Sequence, residues 1–420
     1  MALMLEARSG EYMTGRGVKR LFDELCDGIF RELRRLPAVE GQELLAELRG
    51  TLDGEIATEQ QFQEEFSRLQ AETLRTATPE ELARICREIV SLVAGSFLRH
   101  ESVPALFALC GEALESMLEQ ALRLTEEELT REGLGPPPCY AWLLLGPGGR
   151  REATLSTELE GVLVHGPGET ATRYCAELAG RTTVILERCG FKKSRRGIIP
   201  DNPLWRASTE GWLERIEELC CRDSRARSGS SPHRMARLGS PLFELADLRF
   251  AAGDSLLGEE LIIMVRNAAE RHPACIMAAA RTVAALPTPF TFLGNYRVER
   301  KGNHRGMVDL DRWACHPLVA MVRLQAVTGG IAETSTLERL QALLRRGSLD
   351  VELGKRLLKA GLRLFRLKAL LEIQGATAEG DGTYLLPSTL SSGEEFELRE
   401  ALEAVTTLRK VIHSSLAEKG

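Results

Sequence analysis

Residues 140–164 read YAWLLLGPGGRREATLSTELEGVLV, and this stretch holds a dense clustering of glycine, arginine and paired carboxylates between two apolar runs. The first apolar run, residues 140–145, predicts a buried strand. Gly146, Gly148 and Gly149 then predict a tight turn whose backbone can approach a ligand closely. A short helix is expected to begin at Arg150, with a second strand after it. The stretch therefore predicts a strand, a turn, a helix and a strand around which the rest of the chain is organised.

The glycine turn has the properties of an anion-binding turn. Its successive backbone NH groups can point at phosphate oxygens, and the positive end of the following helix would add to the attraction. We therefore expect Gly146, Gly148, Gly149 and Arg150 to contact the phosphate groups of a ligand.

Two carboxylates follow the turn at a spacing of two residues, Glu158 and Glu160. On a strand this spacing places both side chains on one face. Paired carboxylates on one face can hold a divalent cation between the protein and the phosphates of a nucleotide. The pair predicts a metal site next to the turn.

The order of these residues resembles the nucleotidyltransferase signature of the DNA polymerase beta superfamily. The resemblance is specifically to nucleotidyltransferases similar to the N-terminal domain of protein-PII uridylyltransferase. Their signature reads G-S-x-G-R-x-E, then T-D-x-D after a short spacer. The matching residues are Gly146, Gly149, Arg150, Glu152 and Thr157. Three positions depart from it: Pro147 replaces a serine, and Glu158 and Glu160 replace aspartates. Proline offers neither a hydroxyl nor an NH to a phosphate, and each glutamate is one methylene longer than aspartate.

The resemblance also implies a third metal carboxylate on a neighbouring strand. Residues 241–250 predict such an apolar strand, and Asp247 with Arg249 near its end corresponds to the D-x-R of the relatives. The implied catalytic and metal-binding residues are Glu158, Glu160 and Asp247, with Mg²⁺ or Mn²⁺ and a nucleoside triphosphate, and Arg249 is implied in the nucleotide site. The alternative for Asp247 is a structural carboxylate that caps the next helix.

A basic segment precedes a second match to the relatives, which carry a glycine, a short apolar pair and N-P-x-W. Lys192 and Lys193, with Arg195 and Arg196, are expected to hold the triphosphate or an acidic partner surface. The alternative is a solvated basic loop. Trp205 and Trp212 lie seven residues apart, which favours core packing over base stacking.

The composition sets limits on the class of protein. With 44% hydrophobic and 27% charged residues, the 420-residue chain is typical of a soluble globular protein, and the low aromatic content of 5% favours helix. A net charge of −6 argues against general nucleic-acid binding. The ten cysteines include no C-x-x-C pair, so reduced core thiols are expected. The absence of an apolar run of membrane-spanning length predicts a cytoplasmic protein with no membrane partner.

The remaining segments are expected to be mainly helical. Amphipathic periodicity predicts a helix over residues 17–36, two more around Leu44 and Phe66, and a capping box at residues 78–81 that opens another. Residues 222–239, rich in serine, glycine and arginine, predict a flexible excursion.

The predicted fold is therefore α+β and mostly α, with a small polymerase-beta-type nucleotidyltransferase sheet. The expected domains are an N-terminal helical region (residues 1–132), a nucleotidyltransferase-like domain (133–270) and a C-terminal helical bundle (271–420).

Three functions stay open. The first is transfer of a nucleoside monophosphate from a nucleoside triphosphate to a protein or small-molecule hydroxyl. The second is an inactive member of the same fold that binds nucleotide and acts in regulation or signalling through a protein partner. The third is an assembly module. Each of the three functions is compatible with homo-oligomers that form through the helical regions.

Overall fold

The computed structural model of the chain describes residues 38–225, 241–375 and 383–418. It divides into a first compact unit that ends at Ala71 and a second that runs from Glu72. The sheet, the glycine turn and the C-terminal helices all belong to the second unit. The fold class is α+β and mostly helical, which confirms the prediction from the sequence.

The first described helix, α1, spans Ala38–Thr73. The sequence predicts two helices here, around Leu44 and Phe66, but the structure joins them into one. The stretch contains no proline, and Gly50 and Gly54 each weaken a helix by only about 1 kcal/mol relative to alanine. The helix predicted over residues 17–36 lies outside the described residues.

Two further helices precede the sheet and pack against each other, α2 (Pro79–His100) and α3 (Val103–Arg131). The capping box at the start of α2 is confirmed, because the Thr78 side chain accepts a hydrogen bond from the NH of Glu81 at 3.2 Å. Ser102 caps α3 in the same way.

Six strands follow in chain order: β1 (Tyr140–Leu144), β2 (Glu158–Leu159), β3 (Gly161–His165), β4 (Lys192–Lys193), β5 (Arg206–Ser208) and β6 (Arg249–Gly253). The central sheet has the order β5-β3-β1-β6. β1 pairs antiparallel with β3 and β6, and β3 pairs parallel with β5. β2 and β4 form a separate parallel pair, in which Glu158 lies opposite Lys192.

Five helices surround the sheet: α4 (Gly146–Gly149), α5 (Glu169–Arg188), α6 (Thr209–Arg225), α7 (Pro241–Glu244) and α8 (Ser255–Arg271). Trp205 and Trp212 are both buried in the core, as predicted. The indole NH of Trp212 donates to the carbonyl of Leu163 at 3.0 Å, which ties α6 to β3. Of the flexible excursion predicted over residues 222–239, residues 222–225 end α6 and the rest lies outside the described residues.

Two local predictions are wrong. The short helix does not begin at Arg150 but consists of the glycine turn itself, Gly146–Gly149. Residues 241–250 do not form one strand, because α7 and a 3₁₀ turn over Leu245–Asp247 come first and β6 begins only at Arg249. The proline at position 241 suits the first turn of a helix, and a hydrogen bond from the NH of Leu248 to the carbonyl of Leu245 closes the 3₁₀ turn. Asp247 therefore lies before the strand rather than on it.

The C-terminal part is a helical bundle of α9 (Pro273–Ala284), α10 (His316–Thr328), α11 (Thr336–Arg345), α12 (Val351–Gly375) and α13 (Ser392–Glu418). A short antiparallel pair, β7 (Val308–Asp309) and β8 (Tyr384–Leu385), lies beside it. α12 and α13 pack along each other, and α10 packs against both α9 and α11.

Two expectations from composition can be compared with the structure. Every cysteine for which the structure describes a side chain is a free thiol, and all of these except Cys139 are buried. None of the helices within residues 38–225, 241–375 and 383–418 is long and apolar enough to cross a membrane.

Candidate functional site: a buried ion-pair network at the glycine turn

The glycine turn leaves little backbone available to a phosphate. The NH groups of Gly149 and Arg150 donate to the carbonyls of Leu145 and Gly146 at 3.0 Å each. Pro147 has no NH. At most the NH groups of Gly146 and Gly148 can therefore reach an anion, fewer than the sequence predicts.

The turn also packs closely on its neighbours. A Cβ atom built on Gly149 would overlap the carbonyl oxygen of Asp247 and lie 2.8 Å from that of Leu144. A Cβ on Gly146, which has a positive φ of 55°, would overlap the carboxylate of Glu160. The glycines are thus required for contact with the protein's own acidic residues.

Arg249 holds the turn from the β6 side. Its guanidinium donates to the carbonyl of Gly148 at 2.9 Å and forms an ion pair with Glu115 at 2.7 Å. The nucleotide-binding role predicted for Arg249 would require it to leave these partners. In the structure it positions the turn.

Glu158 and Glu160 do not share a strand. Glu158 lies on β2, whereas Glu160 lies between β2 and β3. Glu158 pairs with Arg195, whose side chain is 75% exposed. Of the two lysines expected to hold a triphosphate, Lys192 is exposed on β4 and Lys193 forms an ion pair with Asp201 at 2.7 Å.

Glu160 is buried and accepts three hydrogen bonds from two side chains of the segment after β4. Arg196 contacts both of its carboxylate oxygens, at 2.8 and 3.1 Å, and the hydroxyl of Ser194 donates to it at 3.0 Å. Arg196 also contacts Glu244 at 3.3 Å. The Arg196 guanidinium thus bridges two carboxylates.

Asp247 is fully buried and surrounded by arginines. Its carboxylate accepts hydrogen bonds from Arg150 at 2.8 Å, from Arg323 at 2.5 and 2.9 Å, and from Arg339 at 2.7 Å. Arg323 also contacts Glu244 at 3.3 Å. Arg323 and Arg339 come from α10 and α11, so Asp247 links the sheet to the C-terminal bundle. The alternative of a helix cap is met by Asp254, which caps α8, and not by Asp247.

These contacts form one continuous set, which we call the ion-pair network. It consists of four carboxylates, on Glu152, Glu160, Glu244 and Asp247, and four guanidinium groups, on Arg150, Arg196, Arg323 and Arg339. Its formal charges sum to zero.

The network bears on the metal that the motif implies. A bridging cation would have to lie between the carboxylates of Glu160 and Asp247. In the structure this space is occupied by a chain of contacts that runs through Arg196, Glu244 and Arg323. Among the described residues, no group of three or more His, Cys, Asp and Glu side chains is arranged to hold a metal ion. A divalent cation needs several oxygen ligands with net negative charge. In this arrangement the carboxylates do not fit one.

Burial and the arginine charges shift the pKa values in opposite directions. Burial alone would raise the pKa of Asp247, but the charges of Arg323, Arg150 and Arg339 outweigh it and hold that pKa well below its usual range. Burial also opposes ionisation of Glu244, and Arg323 and Arg196 lower its pKa all the same. Both carboxylates are therefore charged at neutral pH.

We expect the protein to lose stability in acid through these two groups. Their folded-state pKa values lie below the ordinary values of about 3.9 for Asp and about 4.3 for Glu, so the stabilisation is present above those values and is lost as the pH falls through the folded-state pKa. Urea unfolding between about pH 6 and pH 3 should show the decline. Glu244→Gln should have a shallower pH dependence than wild type, and equal slopes would contradict the assignment.

Reasoning from the sequence named Arg150 as a site residue but missed Glu244, Arg323 and Arg339. Glu244 lies three residues before Asp247 but on a segment that was expected to be a strand. Arg323 and Arg339 lie 76 and 92 residues after Asp247, and no local pattern in the sequence signals their contact with it.

A surface cavity of about 520 Å³ lies elsewhere, between α2, α3 and α5. Its lining includes the apolar side chains of Leu124 and Ile185 and the arginines Arg181 and Arg188. Both arginines are ion-paired, with Glu132 and Glu80 respectively. The cavity does not contain the motif residues.

Two models of known protein families match parts of the chain. Residues 87–226 match the family model described as "Putative nucleotidyltransferase DUF294", and residues 273–416 match the model described as "Putative nucleotidyltransferase substrate binding domain". No curated protein matches the chain. The first model covers the glycine turn and strands β1 to β5, and the second covers the bundle that supplies Arg323 and Arg339. Asp247 and β6 lie between the two matched ranges. The chain belongs to the DUF294 family, whose model carries the description "Putative nucleotidyltransferase".

Proposed function

We propose that the chain is a cytoplasmic regulatory protein of the nucleotidyltransferase family. It binds a nucleoside triphosphate but does not transfer a nucleoside monophosphate from it. The observation that carries the proposal is the ion-pair network, in which arginines hold both Glu160 and Asp247. Carboxylates that are neutralised in this way are poor ligands for Mg²⁺ or Mn²⁺. A protein partner would then respond to the nucleotide-bound state.

The phosphate turn supports the same proposal. Pro147 removes both the hydroxyl and the NH that the relatives' serine provides, and the NH groups of Gly149 and Arg150 are used within α4. Positioning matters strongly in transfer reactions, where a misplacement of about 1 Å can cost roughly a hundredfold in rate. Lys192 has an exposed side chain on β4, beside β2, where it can contact a polyphosphate. Arg195 is also exposed, but it would have to exchange its partner Glu158 for the phosphate.

A second candidate is slow transfer of a nucleoside monophosphate to a hydroxyl of a protein or small molecule, as in relatives of protein-PII uridylyltransferase. The match to a substrate-binding domain over residues 273–416 favours it. This function would require a divalent cation to replace Arg196 at Glu160.

The decisive test is transfer of label. We expect that the wild-type chain, incubated with each α-labelled nucleotide, Mg²⁺ or Mn²⁺ and a host lysate, transfers no more label than Glu160→Gln. Label that depends on the metal and disappears in Glu160→Gln would establish the second candidate instead.

Binding is measured separately by calorimetry with the same nucleotides. We expect Lys192→Glu to weaken binding and Lys355→Glu, a matched charge reversal on the exposed surface of α12, to leave it unchanged. If wild type binds no nucleotide, only a scaffold role remains.

A further inference from the structure

Arg196 lies between two acidic side chains that come from different parts of the chain. It contacts Glu160 at 2.8 and 3.1 Å and Glu244 at 3.3 Å. Glu160 precedes β3, and Glu244 ends α7. The guanidinium therefore joins the segment of the nucleotidyltransferase motif to the segment that carries Asp247.

The backbone fixes Arg196 in this position. The NH of Gly197 donates to the carbonyl of Ser194 at 3.0 Å, and Gly197 has a positive φ of 70°, so residues 194–197 form a tight turn. The hydroxyl of Ser194 accepts from the NH of Ile198 at 3.3 Å and donates to Glu160 at 3.0 Å. The Ser194 hydroxyl thus fixes the turn at residues 194–197 relative to the Glu160 carboxylate.

The surroundings of Arg196 are graded in exposure. Its side chain is 36% exposed, whereas that of Glu160 is 5% and that of Glu244 is 13% exposed. The cation is therefore the part of this cluster that solvent and a ligand can reach, with the carboxylates behind it.

We propose that Arg196 is a resident cation that takes the place of a divalent metal ion between Glu160 and Glu244. The inference rests on the proposed function, because it concerns the same site, and it identifies the side chain that makes the site independent of metal. A planar guanidinium satisfies two carboxylates by fixed hydrogen bonds and cannot lose its charge in a protein. It presents its remaining exposed edge to the phosphates of a nucleotide.

The inference predicts that removal of Arg196 creates a metal site. Arg196→Ala would leave the carboxylates of Glu160 and Glu244 and the hydroxyl of Ser194 around the vacated position. These are oxygen ligands of the type that Mg²⁺ and Mn²⁺ prefer. Arg323 would still contact Glu244, so Glu160 is expected to contribute the stronger ligand.

The test measures Mn²⁺ binding by electron paramagnetic resonance, without nucleotide. The proteins are wild type, Arg196→Ala and the control Arg195→Ala, which removes the neighbouring arginine that pairs with Glu158. We expect Arg196→Ala to bind Mn²⁺ at least about tenfold more tightly than the other two, because both carboxylates lose a neighbouring positive charge. Arg196→Ala combined with Glu160→Gln should lose the gain.

An Arg196→Ala protein that unfolds at the same temperature as wild type, yet binds Mn²⁺ no better than Arg195→Ala, would overturn the inference. If Arg196→Ala does not fold, Arg196→Gln removes the charge and keeps hydrogen-bond donors, and the same comparison decides. The Mn²⁺ experiment does not measure transfer of label. Transfer of label by wild type would therefore refute the proposed function without changing the outcome of the Mn²⁺ comparison.

Discussion

Asp247→Asn is expected to lower the free energy of unfolding by about 3–5 kcal/mol, the usual cost of removing one partner from a buried ion pair. Asparagine has nearly the shape of aspartate, but it leaves Arg150, Arg323 and Arg339 without their common counter-charge. The carboxylate is fully buried, so water cannot take over its role. A carboxylate that served only as a metal ligand could be replaced with no loss of stability. Asp247 differs, because it balances the charges of three buried arginines.

Urea denaturation at neutral pH measures the effect. Glu158→Gln is the matched control, since it neutralises another motif carboxylate whose partner Arg195 is largely exposed. Exposed pairs contribute about 0–1 kcal/mol, so this variant should unfold close to wild type. Similar, small changes for the two variants would show that the arginines around Asp247 do not depend on its charge.

Gly149→Ala is expected to destabilise the protein by about 3 kcal/mol, at the upper end of the usual range for overpacking. The added methyl would overlap the carbonyl oxygen of Asp247 and lie 2.8 Å from that of Leu144. Both obstacles are backbone atoms of the segments that the turn holds together, so neither can rotate away as a side chain would.

Gly95→Ala provides the control for a change from glycine to alanine. Gly95 lies within α2, and a Cβ atom there would meet nothing within 4 Å. This substitution should stabilise by about 0.5–1 kcal/mol, because alanine has less freedom to lose on folding than glycine. If thermal unfolding ranks the two variants equally, the close approach of the turn to Asp247 is not a constraint on the fold.

The sequence by itself determined the elements that depend on neighbouring residues. The apolar run at residues 140–145 predicted β1, Thr78 with Glu81 predicted the start of α2, and the spacing of Trp205 and Trp212 predicted core positions. Each of these signals lies within a few residues, where local backbone geometry decides the outcome. The order of glycines, arginine and acids likewise sufficed to indicate the nucleotidyltransferase family.

The partners of the charges were decided only by the tertiary structure. Asp247 meets Arg150, Arg323 and Arg339 across separations of 97, 76 and 92 residues, and no local pattern specifies such contacts. A motif carboxylate has the same letter in the sequence whether it faces a metal or a guanidinium. Its role depends on which charge the folded chain brings into the same desolvated space, because burial makes an unpaired charge too costly to keep.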